Sequence, residues 1–221
     1  GRQWLGHRWL GIWTMNYTQL KTNIQNFMED DSTELDASID EIISQAEDMI
    51  FQRLPNLPCF RQDSTASLVV GTADYTIANA RLIRQVSIVN SNNVEYLNHR
   101  IDSYLRDYWP NSTTTGKPIM YSTKSAGTSG TVITLAPTPD STYSYQVDFI
   151  APATGLSSTN ANTWIGDNAE NLLLSAALYE TSAFLKAGET LNLYKAQFDE
   201  WVQLFIQEMG RDYVAEYDGG I

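Results

Sequence analysis

One cysteine, two histidines and seven prolines are spread over 221 residues, and each scarcity removes a class of chemistry. Cys59 alone makes no intramolecular disulfide and no cysteine-built zinc site, so neither a disulfide scaffold nor a thiol redox pair is available. His7 and His99 lie far apart, and His99 has Arg100 beside it rather than a second imidazole; no metal and no cofactor is expected. The longest apolar stretches, residues 172–174 and 176–179, fall far short of the roughly 20 residues that a membrane-crossing helix needs, so no membrane partner is expected. No serine sits in a Gly-x-Ser-x-Gly elbow. Gly127-Thr128-Ser129-Gly130 has neither the lysine nor the following helix of a phosphate loop and reads as a hairpin turn. With no nucleophile, base and orienting group in any recognisable pattern, the chain is not expected to be an enzyme. Basic residues are also few: fourteen Lys and Arg against twenty-six Asp and Glu leave a charge of −12, which disfavours a general grip on nucleic acid.

What is present is an ordinary globular composition, 43% hydrophobic and 18% charged, in a chain long enough to bury roughly 70% of its unfolded surface. Residues 1–14 stand apart. They hold Trp4, Trp9 and Trp13 with Arg2, His7 and Arg8 and no acid, yet His7 and Arg8 interrupt the apolar run that a signal peptide requires. They read as an atypical tryptophan-rich leader, with Met15 looking like a natural initiator, or as a partner-binding arm.

From Tyr17 the hydrophobic period is helical. Tyr17, Leu20, Ile24, Phe27 and Met28 mark one helix, and Leu35, Ile39, Ile42, Ile43, Ala46, Met49, Ile50 and Leu54 a second, with Asp31 and Glu34 placed for a capping box and Pro55 and Pro58 ending it. Between residues 60 and 152 the period falls to two. Residues 67–70, 74–77, 82–89, 118–123, 131–135 and 143–149 read as strands joined by glycine and proline turns, and Ile101, Tyr104, Leu105 and Tyr108 keep helical spacing up to Pro110. Beyond the Ser/Thr/Asn-rich residues 155–163, the segment from Ala169 to Leu185 is apolar nearly all round. Leu191 to Tyr213 then carries the longest stripe, and residues 216–221 read as a frayed polar end.

The fold class expected is therefore α+β. Residues 15–55 and 165–217 should form a helical bundle built from both ends of the chain, and residues 56–164 an inserted antiparallel β domain with a short helix near 100–109.

Nine acids lie between Lys21 and Arg53 with no Lys or Arg among them. Their order does not match a calcium loop. On the second helix they fall opposite the apolar stripe, and a solvated face is the ordinary meaning of that pattern.

Four stretches in this order and spacing resemble the head-to-tail adaptor (connector) proteins of tailed bacteriophages, of the short-tailed type. They are Arg81-Leu82-Ile83-Arg84-Gln85-Val86-Ser87; Tyr104-Leu105-Arg106-Asp107-Tyr108-Trp109-Pro110 with Gly116-Lys117-Pro118; Leu135-Ala136-Pro137-Thr138-Pro139-Asp140; and Trp164-Ile165-Gly166-Asp167-Asn168-Ala169, running into Leu172-Leu173-Leu174 and Phe184-Leu185-Lys186. The resemblance spans residues 17–213. It implies a structural virion protein in the neck, assembled in the host cytoplasm. The resemblance also implies its partners: the portal protein, a tail or nozzle protein, and further copies of itself in a ring of about twelve. Double-stranded DNA would pass through the ring without specific binding. The bundle would form the ring wall, with the β region pointing outward or toward the tail.

The same resemblance supplies candidate residues. Arg211, Tyr213 and Tyr217 would dock the portal, unless that end simply frays. Asp36, Asp40 and Glu47 would border the DNA channel, where fixed negative charge lets a duplex slide, unless they are merely outer surface. Tyr96, Tyr104, Tyr108 and Trp109 would be interface anchors, unless they fill the β core. A tail adhesin or carbohydrate-binding module, using those rings as a stacking platform, is the alternative function.

Overall fold

The computed structural model describes residues 14–90, 93–127 and 130–218, with side chains for all of these except 90 and 209–218. The leader, apart from the exposed Thr14, lies outside the described residues. In chain order the elements are α1 (Tyr17–Met28), α2 (Thr33–Arg53), a 3-10 turn (Pro58–Phe60), β1 (Arg61–Ser67), β2 (Asp74–Ile77), β3 (Leu82–Asn90), β4 (Asn93–Tyr96), β5 (Asn98–His99), α3 (Asp102–Tyr108), β6 (Thr115–Gly116), β7 (Met120–Ser125), β8 (Thr131–Ala136), β9 (Thr138–Pro139), β10 (Ser144–Ile150), α4 (Trp164–Asn168), α5 (Glu170–Phe184) and α6 (Gly188–Asp218). The fold is α+β. Two compact units divide it, residues 1–54 with 154–221 and residues 55–153, so the segment 154–163 goes with the helices rather than with the sheets.

The helical unit is organised by α5, which packs against α1, α2, α4 and α6. That explains why its sequence is apolar all round: Leu172, Leu173, Ala176, Ala177 and Leu178 are all buried. Its buried hydroxyls are satisfied within the helix, Thr181 donating to the Ala177 carbonyl at 2.7 Å and Ser182 to that of Leu178 at 2.8 Å. α1 starts in a capping box between Asn16 and Gln19 and buries Leu20 and Ile24, while Phe27, on the expected stripe, stays 57% exposed. α2 is capped by Ser32, whose hydroxyl accepts from the Leu35 amide, and not by the Asp31–Glu34 box that the sequence suggests. Gly166 in α4 accepts the Met15 amide at 2.9 Å, and a Cβ at 166 would stand 2.3 Å from the Met15 carbonyl oxygen, so only glycine permits that approach.

In the β unit one sheet has the order β1-β10-β3-β4 and is antiparallel throughout; a second has the order β2-β8-β7-β5, and β6-β9 form a short pair. The contacts β5–β7 and β6–β9 are parallel, departing from the all-antiparallel expectation. Val86, Ile88, Ile133, Leu135 and Val147 are among the buried side chains that form its core. The Gly127–Gly130 stretch joins the antiparallel β7 and β8 as expected of a hairpin, both glycines having positive φ.

The strand expected at 67–70 is displaced. The strand runs from Arg61 to Ser67 instead, and Val69 and Val70 are exposed in a turn where the Tyr75 hydroxyl accepts from the Val69 amide. Thr138 and Pro139, read as part of a turn, form β9.

Candidate functional site

Among the described residues no cluster of reactive groups is found, so the candidate sites are surfaces, and the first is the distal half of α6. This helix has 31 residues and α5, its main support, has 15, about 46 Å against about 22 Å at the helical rise. Tyr194, Phe198 and Val202 are buried at four-residue spacing, and Arg53 ties α6 to the end of α2 through Asp199 at 3.1 Å. Past Val202 no described side chain is buried, and Leu204 and Ile206 are 44% and 47% exposed. The backbone stays helical through Asp218, three residues into the stretch expected to fray. Arg211, Tyr213 and Tyr217 therefore lie on a helix, but their side chains fall outside the described residues.

The second candidate is the acidic face of α2, whose three named carboxylates have different surroundings. Lys21 lies 2.6 Å from Asp36, and the Gln25 amide donates to the same oxygen at 3.1 Å. Asp40 accepts the Tyr17 hydroxyl, and that bond, with some burial and the negative charge nearby, pushes the phenol up to about 12. Glu47 belongs to no free face. Both its oxygens accept the Leu156 amide, at 2.9 and 3.1 Å, and a Cβ on Gly155 would stand 2.5 Å from Oε2. Burial pushes its carboxyl up to about 7, against the opposing Leu156 bond and with repulsion from Asp48. Sequence reasoning misses this because the segment that covers Glu47 lies more than a hundred residues away in the chain.

The third candidate is in the β unit. Tyr96 closes β4 at 64% exposure; Tyr104 and Tyr108 project from α3 with rings parallel to within 5° and centroids 6.4 Å apart. The Arg100 guanidinium lies 5.7 Å from the Tyr104 ring centre. Trp109 differs from these three. It is half-buried against Leu105, Met120 and Ala136, and its indole N–H donates to the Thr114 carbonyl at 2.9 Å, so it mainly fills space.

Beside Trp109 runs an open groove of about 730 Å³. Its charged groups are matched among themselves: Asp74 accepts from Lys124 at 2.7 Å and from Thr134 at 2.6 Å, and Arg106 from α3 holds Asp102 at 2.7 Å. Burial acts to raise the Asp74 carboxyl, but the bonds from Lys124 and Thr134 and the nearby cations outweigh it and hold the group below the ordinary aspartate range.

His99 lies against Tyr121 with ring centres 5.1 Å apart and ring planes tilted by 50°. Among the described residues no three His, Cys, Asp or Glu side chains gather as a metal set, and no helix is long and apolar enough to cross a membrane.

Against known proteins, the family model of the SU10 adaptor protein matches residues 15–218, which takes in both compact units and all of α6. A comparison with curated proteins gives no match.

Proposed function

The chain belongs to the SU10 adaptor protein family, phage head-to-tail adaptors of the virion neck, and on that premise we propose that it docks on the portal through the distal half of α6. The observation that carries this reading is the mismatch between α6 and its support: a helix twice the length of α5, with Leu204 and Ile206 exposed beyond Val202, the last buried residue among those described. A rigid helix with apolar side chains on view is the form in which helix-in-groove partners are bound. Arg211, Tyr213 and Tyr217 continue that segment and extend the same contact. Docking repeats around the portal as a ring of about twelve copies, each touching the next head to tail.

Within the ring the exposed acids of α2, Asp36 and Asp40 among them, border the DNA channel and keep the duplex from being gripped. Glu47 drops out of that set, since it is occupied by Leu156. Tyr104 and Tyr108 supply the contact with the tail protein.

The test is co-sedimentation and negative-stain imaging with the portal. Leu204→Asp with Ile206→Asp, and separately removal of residues 210–221, should leave the fold intact by circular dichroism and abolish the ring on the portal. Unchanged rings in both variants would dismiss α6 as the docking element. For the channel, Asp36→Lys with Asp40→Lys should preserve assembly and make genome ejection slow and salt-dependent; ejection identical to wild type across salt would place these acids elsewhere.

A further inference from the structure

A ring needs a contact that repeats head to tail, and the first sheet offers two unlike open edges. Its outer strands are β1 and β4, and because all three pairings between them are antiparallel, these edges run in opposite directions. A β4 laid beside the β1 of another copy therefore continues the antiparallel alternation. The second sheet does not share this property. Its edges β2 and β5 run the same way, because β5 joins β7 in parallel, and β5 has only two residues.

β1 has no packing reason of its own to be a strand. None of its seven residues is buried, only Gln62 is half-buried, and neither face is apolar. It nevertheless keeps register with β10 at every position without a bulge. Open edges are ordinarily guarded by lysine, proline, a bulge or a covering element. β1 carries no Lys, Pro or Gly; its two charges, Arg61 and Asp63, stand in its first three residues, and Ser64, Thr65, Ala66 and Ser67 beyond them are all small. β4 is the reverse: Val94 and Tyr96 share one of its faces at 51% and 64% exposure, with Asn93 and Glu95 on the other.

We infer that β1 of one copy receives β4 of the next copy as an added antiparallel strand, making the first sheet continuous from subunit to subunit. The inference rests on the ring reading above and names the surface that joins neighbours. Main-chain hydrogen bonds hold the added strand, and the small side chains of β1 let Val94 and Tyr96 lie across them. Because the two edges differ, the contact is heterologous and every copy offers one of each kind; pairing of like edges would be isologous and would stop at a dimer.

Cysteine pairs across the proposed seam test it. Thr65→Cys and Val94→Cys are made singly and together, assembled on the portal, treated with a mild oxidant and run on a denaturing non-reducing gel; the unmodified chain, with Cys59 alone, sets the background. The double variant should give a ladder of multimers and each single variant none above background. Rings seen by electron microscopy but no ladder in the double variant would overturn the seam and leave the adaptor reading standing. A dimer from Thr65→Cys alone would overturn it in favour of like-edge pairing. Absence of any ring from the unmodified chain on the portal would remove the ring reading and the seam with it. Independently, Ser64→Lys with Ala66→Lys should leave Tm unchanged and prevent ring formation; normal rings from that variant would refute the inference.

Discussion

The helical unit carries nineteen acids against seven bases and so holds the whole net charge of −12, whereas residues 55–153 have seven of each and are neutral. In the β unit three of the seven cations pair with acids, Lys124 with Asp74, Arg106 with Asp102 and Lys117 with Glu95. In the helical unit Lys21 and Arg53 each take one acid, and most carboxylates remain for the surface. The difference follows from how each unit is held. Helices that share α5 need only an apolar stripe, so their outward faces are free to carry charge of one sign. In the β unit two of these ion pairs join different elements, Lys124 of β7 to Asp74 of β2 and Lys117 to Glu95 of β4, although Asp63 and Asp148 stand directly opposite each other across β1 and β10.

The largest break in this comparison should come from Leu173→Ala in α5, a fully buried position facing the shared core. A cost of about 2–5 kcal/mol is expected. Hydrogen exchange should show protection lost across α1, α2 and α6 while Val86, Ile88 and Val147 keep theirs; equal loss in both units would mean that they unfold as one body.

Next come opposite responses to pH. Glu47 binds its proton more tightly folded, at about 7, than at the ordinary value of 4.5, so its contribution is fully present below 4.5 and is lost as pH rises through 7. The helical unit should lose on the order of 3 kcal/mol between pH 4.5 and pH 8, and Glu47→Gln should flatten that slope, read from urea midpoints at several pH values. A slope that persists in Glu47→Gln would assign it to another group.

Ser32→Ala, which removes the α2 cap, should cost about 1 kcal/mol and act on the helical unit alone. A thermal melt of this variant beside wild type measures it.

The smallest effect is the mirror of the second. The Asp74 carboxyl is held low, so its contribution is present above the ordinary aspartate value of 3.8 and is lost as pH falls through its lower folded value. The pair with Lys124 is largely exposed, so Asp74→Asn should cost no more than about 1 kcal/mol near neutral pH and less in high salt. An acid-sensitive helical unit with an acid-insensitive β unit would reverse both assignments.

The helices are legible in the sequence because burial on one side of a helix leaves a periodic trace. The Leu35 to Leu54 stripe is the buried face of α2, apart from the half-buried Met49, and the all-round apolar character of α5 marks it as the shared support. Strands with a buried face are legible for the same reason, as Tyr145, Val147 and Phe149 show. β1 is not, because its place depends on the backbone of β10 and its side chains bury nothing. Of the candidate surfaces, the three exposed tyrosines and the acids of α2 could be named from sequence, but the divergence among Asp36, Asp40 and Glu47 could not. It depends on α1 and on Gly155-Leu156, neither of which announces its neighbour.

The split make-up of the helical unit also sets an order in time. α1 and α2 leave the ribosome first, but the helix they pack on begins only at Glu170, more than a hundred residues after α2 ends. At about 5–20 residues per second that is a delay of roughly 6–20 s during which the Leu35 to Leu54 stripe has no native cover. The β unit is contiguous and can close meanwhile. For that interval the nine acids between Lys21 and Arg53 have a use that does not depend on the finished virion. Mutual repulsion between nascent chains keeps an uncovered apolar helix from joining its copies on neighbouring ribosomes before its own partner arrives.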